Sequence, residues 1–181
     1  SVARHLESVA RTHQTMQASS LVSGEKNTGS WRKLTSPIDG NLSIGYVQEA
    51  TSDLIDKSIA AARRSAWPSL STDARADILE YTATLLEQEQ DQFISLCAAE
   101  AGKTIPDSIA EVREAVDFCR YYANEARSER ISLRMPLGVI ACISPWNFPL
   151  AIFMGQVVAA LAAGNCVVAK PADQTPMIAY R

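Results

Sequence analysis

Several residue patterns that mark common kinds of functional site are missing from this sequence of 181 residues. Its two histidines, His5 and His13, both lie near the N-terminus, far along the chain from the other residues that could carry chemistry. We therefore expect neither a Ser-His-Asp triad nor a metal site. The sequence also has no Gly-x-Gly-x-x-Gly motif, so the usual glycine-rich turn for a dinucleotide pyrophosphate is absent.

Charge and hydrophobicity exclude further classes of protein. The formal net charge of −3 gives no electrostatic reason to expect binding to nucleic acid or to a membrane surface. No apolar run reaches the roughly 18–20 residues of a membrane span, and the N-terminus lacks the apolar region of a signal peptide. The cysteines are far apart, lie in apolar surroundings and form no Cys-x-x-Cys pair, which favours buried free thiols and a cytoplasmic protein. They are Cys97, Cys119, Cys142 and Cys166.

The chain before residue 131 is predicted to contain two segments. Residues 1–30 form the first, with a helix to about residue 18 and then a polar, glycine-rich linker. Residues 31–130 form the second, and they open with two strand-like runs around a Pro37-Ile38-Asp39-Gly40 turn, which predicts a hairpin or a pair of edge strands. Helices should follow between these strands and residue 130.

Three helical segments are predicted from their caps and breaks. The first runs from a Ser52/Asp53 cap to Pro68, and the second runs from a Ser71/Thr72 cap to Gly102 with a new start at Asp91. The third has Pro106 in its first turn and one apolar stripe. That stripe comprises Ile109, Val112, Val116, Cys119 and Ala123.

Residues 131–181 differ in character from the helical part. The segments PLGVIACI (136–143) and NCVVAK (165–170) predict strands buried on both faces, and LAIFMGQVVAALAAG (150–164) predicts a buried helix between them. This order predicts a βαβ unit with parallel strands. Two strands and a helix start at Thr175 and Pro176 do not complete a parallel sheet, so we expect the N-terminal part of a longer α/β protein.

Candidate functional residues follow the two predicted parallel strands, at the edge where open α/β sheets bind ligands. Asn147, in Ser144-Pro145-Trp146-Asn147-Phe148-Pro149, has two interpretations. It caps the following helix, or its amide donates to an oxyanion that forms during a reaction.

Lys170 and Asp173 also have two interpretations. They form a solvated ion pair, or they hold a ribose diol, in which case the carboxylate favours NAD over NADP. Glu111 and Glu114, at i and i+3 on the third helical segment, are interpreted as part of a solvated face. Trp31 and Trp67 are interpreted as packing residues.

Two stretches carry a family resemblance. Residues 138–176, with Pro-Trp-Asn-Phe-Pro followed by Lys-Pro-x-acid, closely resemble the aldehyde dehydrogenase superfamily. Residues 97–123, CAAEAGKTIPDSIAEVREAVDFCRYYA, resemble the Δ1-pyrroline-5-carboxylate dehydrogenase module of bifunctional proline utilisation A proteins. The resemblance implies an α/β fold, namely the N-terminal part of a Rossmann-like NAD-binding domain with an incomplete sheet, whose first βαβ unit is residues 131–181.

The resemblance also implies a role for single residues. Asn147 would be the side-chain half of the oxyanion hole, Phe148 would pack on the substrate, and Glu114 would face the substrate channel. Lys170 and Asp173 would hold the adenosine ribose of NAD, although the family more often has Glu at the second position. The other residues implied to lie along the cofactor are Ile143, Ser144, Pro145, Trp146 and Ala172.

The implied activity is NAD-dependent oxidation of a small aldehyde, L-glutamate γ-semialdehyde, to L-glutamate in proline catabolism. FAD would belong only to a proline dehydrogenase module upstream, and the full-length protein would be a homo-oligomer. In the family the nucleophilic Cys and the general-base Glu lie downstream, so we expect the 181-residue chain alone to be inactive. Two alternatives stay open, namely an aldehyde dehydrogenase for another substrate such as succinate semialdehyde, and a non-catalytic nucleotide-binding or scaffold module.

Overall fold

The N-terminal strands form a sheet of their own. The structure, a computed structural model, describes residues 16–128 and 135–181. Strands β1 (Met16–Ala18), β2 (Trp31–Thr35) and β3 (Ser43–Gln48) lie in the order β1-β3-β2. The pairing of β2 with β3 is antiparallel, which confirms the predicted hairpin, and β1 pairs with β3 in parallel.

The helix predicted to reach residue 18 is wrong at residues 16–18, which form β1, and the rest of that prediction lies outside the described residues. Pairing with β3 decides the conformation here. Gly45 allows the close approach, since a Cβ at this residue would lie 2.4 Å from the carbonyl oxygen of Met16. Tertiary pairing therefore overrides the helical spacing of apolar residues.

Among the described residues, four α-helices lie between the first sheet and the second: α1 (Ser52–Arg63), α2 (Thr72–Gln88), α3 (Gln90–Ala101) and α4 (Ile105–Ala126). The hydroxyls of Ser71 and Thr104 cap α2 and α4, because each accepts a hydrogen bond from a backbone N–H group in the first turn of its helix. Gly102, at φ 68°, ends α3 as predicted.

The limits of α1 correct the prediction. Its cap is the Thr51 hydroxyl rather than Ser52 or Asp53, and the helix ends at Arg63 instead of continuing to Pro68. A separate 3₁₀ turn, Trp67–Ser69, takes up the last part of the predicted helix. The indole N–H of Trp67 donates to the carbonyl oxygen of Leu161 at 3.0 Å, which agrees with the predicted packing role. Trp31, by contrast, is about half exposed.

The main core lies between α2, α4 and the helix of the βαβ unit. Four of the five predicted stripe residues of α4 are buried, whereas Ile109 is exposed. At this first turn of α4, the inward positions belong to Ser108 and Glu111 instead. Near the start of α4, buried polar side chains therefore take the positions that the apolar stripe was predicted to occupy.

The βαβ prediction is confirmed. Strands β4 (Val139–Ile143) and β5 (Cys166–Lys170) pair in parallel from Val139 opposite Cys166 to Ile143 opposite Lys170, and α5 (Ala151–Ala162) connects them. A short helix, α6 (Pro176–Tyr180), follows β5. The predicted burial of both strand faces is wrong, because Ala141, Ile143 and Ala169 are exposed and no described element covers them.

The turn from α5 to β5 is fixed by Asn165. Its side-chain oxygen accepts the backbone N–H groups of Leu137 and Gly138, at 2.6 and 3.0 Å, and its amide donates to the carbonyl oxygen of Ala160 at 3.2 Å. The two strand starts and the end of α5 are therefore joined by one buried amide. Within residues 16–128 and 135–181, every helix is too short or too polar to cross a bilayer.

Candidate functional site

The carboxyl ends of β4 and β5 lie side by side, as the parallel pairing requires. Ile143 is opposite Lys170, and the backbone N–H of Ser144 donates to the carbonyl oxygen of Lys170 at 3.2 Å. Two loops leave from this edge. We name residues 144–150 the Asn147 turn and residues 170–175 the Lys170 loop, and together they form the rim of the second sheet.

The first part of the Asn147 turn combines a buried hydroxyl with exposed apolar side chains. Ser144 is buried, and its Oγ has no hydrogen-bond partner among the described residues. Ile143 and Trp146 are 65 % and 54 % exposed, and Pro145 is half-buried. These exposed apolar side chains are suited to cover an apolar part of a ligand, whereas the Oγ of Ser144 is buried and not accessible to one.

Asn147 does not cap α5, so that interpretation is wrong. The helix starts at Ala151, and Leu150 occupies the cap position without any side-chain hydrogen bond of its own. Asn147 lies three residues earlier in a bend, and it is exposed. Since no other described residue hydrogen-bonds its amide, both side-chain N–H groups are free to donate to a ligand.

Glu111 takes the capping role instead. Its Oε2 accepts the backbone N–H groups of Leu150 and Ala151, at 3.1 and 2.8 Å, which are among the N–H groups that a helix start leaves without partners. Glu111 is only 1 % exposed, so the predicted solvated face is wrong at this residue. The negative charge also complements the positive end of the α5 dipole.

Lys103 compensates the buried charge of Glu111. Its Nζ lies 2.9 Å from Glu111 Oε1, and its side chain is 15 % exposed. The same ammonium lies 4.5 Å from the ring centroid of Phe148, a cation–π distance. Lys103 follows Gly102, whose left-handed backbone ends α3 and turns the chain towards α4.

Glu114 lies one turn after Glu111 on α4 and is exposed. It forms no hydrogen bond or ion pair with the rest of the described chain. Its predicted place in a substrate channel stays a prediction.

The Lys170 loop contains the predicted ion pair. Lys170 Nζ lies 2.8 Å from Asp173 Oδ1, both side chains are more than half exposed, and Ala172 is buried beside them. The hydrogen bond and charge of Lys170, and to a smaller extent the charge of Arg32, lower the pKa of Asp173. The carboxylate is therefore ionised at neutral pH and open to an incoming hydroxyl donor.

Arg32 is a further contact of this loop that the sequence did not indicate. Its Nη2 donates to the backbone carbonyl oxygen of Asp173 at 3.0 Å, and its Nε lies 2.6 Å from Glu49 Oε1. Strand β2 of the first sheet therefore braces the loop that follows β5.

A second buried carboxylate lies at the end of the Lys170 loop. Glu100, on α3, accepts the backbone N–H groups of Met177 and Ile178 at 2.8 and 3.0 Å. It is 2 % exposed. Burial raises its pKa to about 8, although the two N–H groups act in the opposite direction. Both loops of the rim thus end at a helix that a buried glutamate caps.

Three of the four cysteines have environments that disfavour a reactive thiolate. All four are free and buried. Burial raises the pKa of Cys97 to about 12 and of Cys119 to about 11, and it also raises the pKa of Cys142. A nucleophilic cysteine needs the opposite shift. In the described part of the chain, no group of three or more His, Cys, Asp or Glu residues is arranged to bind a metal ion.

Comparison with known proteins agrees with this geometry. The aldehyde dehydrogenase family model matches residues 24–181. The bifunctional protein PutA of Escherichia coli (strain K12) is 45% identical over 169 residues, which cover 92% of this chain and 13% of that protein. The 1-pyrroline-5-carboxylate dehydrogenase of Geobacillus sp. (strain WCH70) is 35% identical over 177 residues, which cover 89% of this chain and 34% of that protein.

A solved structure shares the fold. The 1-pyrroline-5-carboxylate dehydrogenase from Thermus with bound NAD superposes with a TM-score of 0.88 at 26% identity, over 97% of this chain and 38% of that one. This chain therefore spans between about an eighth and two fifths of the length of these relatives. From the family match over most of its length and the shared fold, the chain belongs to the aldehyde dehydrogenase family.

Proposed function

We propose that this chain supplies the NAD-binding rim and the side-chain oxyanion donor of a dehydrogenase that oxidises L-glutamate γ-semialdehyde to L-glutamate. The observation that carries the proposal is the free, exposed amide of Asn147 beside the Lys170–Asp173 pair on one sheet edge. The names of the PutA and 1-pyrroline-5-carboxylate dehydrogenase relatives support this choice of substrate. Residues 131–181 are then the first βαβ unit of the NAD-binding domain, and residues 31–130 pack on that domain.

The residues of the rim fit an adenine dinucleotide. The carboxylate of Asp173 accepts hydrogen bonds from ribose hydroxyls, and the ammonium of Lys170 donates to their oxygens. A carboxylate at this place disfavours a 2′-phosphate, so NAD is preferred over NADP. The exposed side chains of Ile143 and Trp146 provide two apolar contacts along the cofactor.

When bound, NAD accepts the hydride that the oxidation removes from the aldehyde carbon. Asn147 donates an N–H to the carbonyl oxygen of the substrate as that oxygen gains negative charge, and its neutral amide needs no counter-ion. Phe148 packs on the aliphatic part of the substrate. The attacking thiol comes from outside these residues, because burial raises the pKa of Cys97, Cys119 and Cys142.

The test uses the intact protein and the substitution Asn147→Ala. We expect kcat with L-glutamate γ-semialdehyde to fall by about 10²–10³, the usual effect of losing one oxyanion donor, while the KM for NAD stays within about twofold. NADH formation at 340 nm measures both. Unchanged kcat with a lowered Tm would contradict the proposed role of Asn147.

Substrate choice is tested by the ratio of kcat/KM for L-glutamate γ-semialdehyde and succinate semialdehyde. A preference for the second aldehyde would favour the alternative dehydrogenase. NAD binding without oxidation of either aldehyde would favour a non-catalytic nucleotide-binding module. The cytoplasmic location, the homo-oligomer and the FAD-containing upstream module stay predictions of the same proposal.

A further inference from the structure

The Asn147 turn is held by backbone hydrogen bonds at its two ends. At the strand end, the backbone N–H of Ser144 donates to β5. At the helix end, Glu111 accepts the N–H groups of Leu150 and Ala151. Between these ends, Asn147 has no hydrogen bond within the described chain. The position of the amide is therefore set by whatever fixes the second half of the turn.

We propose that Glu111 and Lys103 are positioning residues that aim the amide of Asn147 through the backbone of this turn. The inference rests on the proposed function. Neither side chain is placed to touch the substrate. Glu111 fixes the residues that follow Phe148 through two backbone hydrogen bonds, and Lys103 fixes the ring of Phe148 itself through a 4.5 Å cation–π contact.

The burial of both charges makes this arrangement stiff. Glu111 and Lys103 are 1 % and 15 % exposed, and their 2.9 Å contact lets each charge offset the desolvation of the other. A buried carboxylate with two hydrogen bonds on Oε2 and an ammonium 2.9 Å from Oε1 has little freedom to shift. Since a misplacement of about 1 Å at a reacting group costs about 10²-fold in rate, a small relaxation of this support is expected to appear in kcat.

The arrangement predicts which substitutions separate positioning from general stability. Glu111→Gln keeps the size of the side chain but loses the charge that pairs with Lys103. Lys103→Met keeps much of the apolar stem and loses the ammonium over Phe148. Lys103→Arg keeps the positive charge and can stack on an aromatic ring, so it serves as the conservative rescue variant.

The test is a double-mutant cycle for kcat in the intact protein, with L-glutamate γ-semialdehyde and saturating NAD. We expect Glu111→Gln and Lys103→Met each to lower kcat about tenfold, and Lys103→Arg to retain most of the activity. In the Asn147→Ala background, Glu111→Gln should lower kcat by less than about twofold further. The reason is that the effects of two substitutions on kcat are not additive when both act through the same group. Glu100→Gln, which alters the other buried cap, should combine additively with Asn147→Ala.

The outcomes separate this inference from the proposed function. If Asn147→Ala leaves kcat unchanged, the proposed function fails. If Asn147→Ala lowers kcat but Glu111→Gln has no effect, or has its full effect in both backgrounds, only the positioning role fails. If Glu111→Gln does not fold, the positioning role is tested with Lys103→Met and Lys103→Arg in the same double-mutant cycle. Equal kcat values for these two variants would overturn the inference.

Discussion

The two loops of the rim start at neighbouring strand ends and finish at helices capped by buried glutamates. They differ in whether their polar side chains already have a partner within the chain. The amide of Asn147 has no hydrogen-bond partner in residues 16–128 and 135–181, and the turn around it is supported by the buried Glu111–Lys103 ion pair. Lys170 and Asp173 are already paired with each other, in solvent, and their loop is braced by Arg32. A group that stabilises a transient charge needs a fixed position and no competing partner, whereas groups that bind a diol can exchange one partner for another.

The two glutamates differ in the same way. Glu111 shares its buried charge with Lys103, but Glu100 is bound only by the backbone N–H groups of Met177 and Ile178 among the described residues. Desolvation raises the pKa of Glu100 to about 8 as a result. Glu111, at the end of the Asn147 turn, is thus one half of a buried ion pair. Glu100, at the end of the Lys170 loop, has no such partner among the described residues, and its raised pKa favours the protonated form.

The largest expected difference is in the response to truncation. Glu111→Ala leaves the Lys103 ammonium buried without its partner, which typically costs about 3–5 kcal/mol. Glu100→Ala leaves only unpaired backbone N–H groups, for which about 1–3 kcal/mol is typical. Thermal unfolding of the intact protein should show the larger fall in Tm for Glu111→Ala. Similar values for both variants would mean that Lys103 reaches solvent once Glu111 is gone.

A second difference concerns pH. Because the folded-state pKa of Glu100 is raised from 4.5 to about 8, the folded protein holds this proton where the unfolded chain has lost it. The contribution to stability is present below pH 4.5 and is lost as pH rises towards 8. We expect the Tm of the wild-type protein to fall between pH 5 and about 8 by several degrees more than that of Glu100→Gln. Parallel Tm profiles of the two proteins would refute this assignment.

The smallest expected effect is on cofactor binding. Asp173→Asn removes a charge that accepts hydrogen bonds from a diol, and the loss of about 1.4 kcal/mol corresponds to a tenfold higher KM for NAD. The kcat at saturating NAD should change by less than about twofold. Arg32→Gln, which weakens the brace of this loop but leaves Asp173 and Lys170 in place, is the matched control and should raise the KM less. If Asp173→Asn changed kcat and left the KM for NAD unchanged, the proposed difference in role between the two loops would be contradicted.

Local features of the fold were predictable because their causes lie close together in sequence. Ser71 and Thr104 hydroxyls cap the next helix, Gly102 ends one, and the uncharged runs around Cys142 and Cys166 form parallel strands. The support of the rim was not predictable. Nothing in the spacing of Glu111 distinguishes it from exposed Glu114, and only tertiary packing brings it to the start of α5. The helical spacing in residues 1–18 misled the prediction for β1, because strand pairing with Gly45 decided it.

The contacts that support the rim also set the order in which it can form. Glu111 is 40 residues from Ala151, Glu100 is 77 residues from Met177, and Arg32 is 141 residues from Asp173. Contacts of such separation require long loops to close, which makes them late and slow events in folding. During synthesis, the helices and the hairpin can therefore form before the rim does. Ligand binding through the Lys170 loop becomes available only after nearly the whole of this chain has been produced and packed.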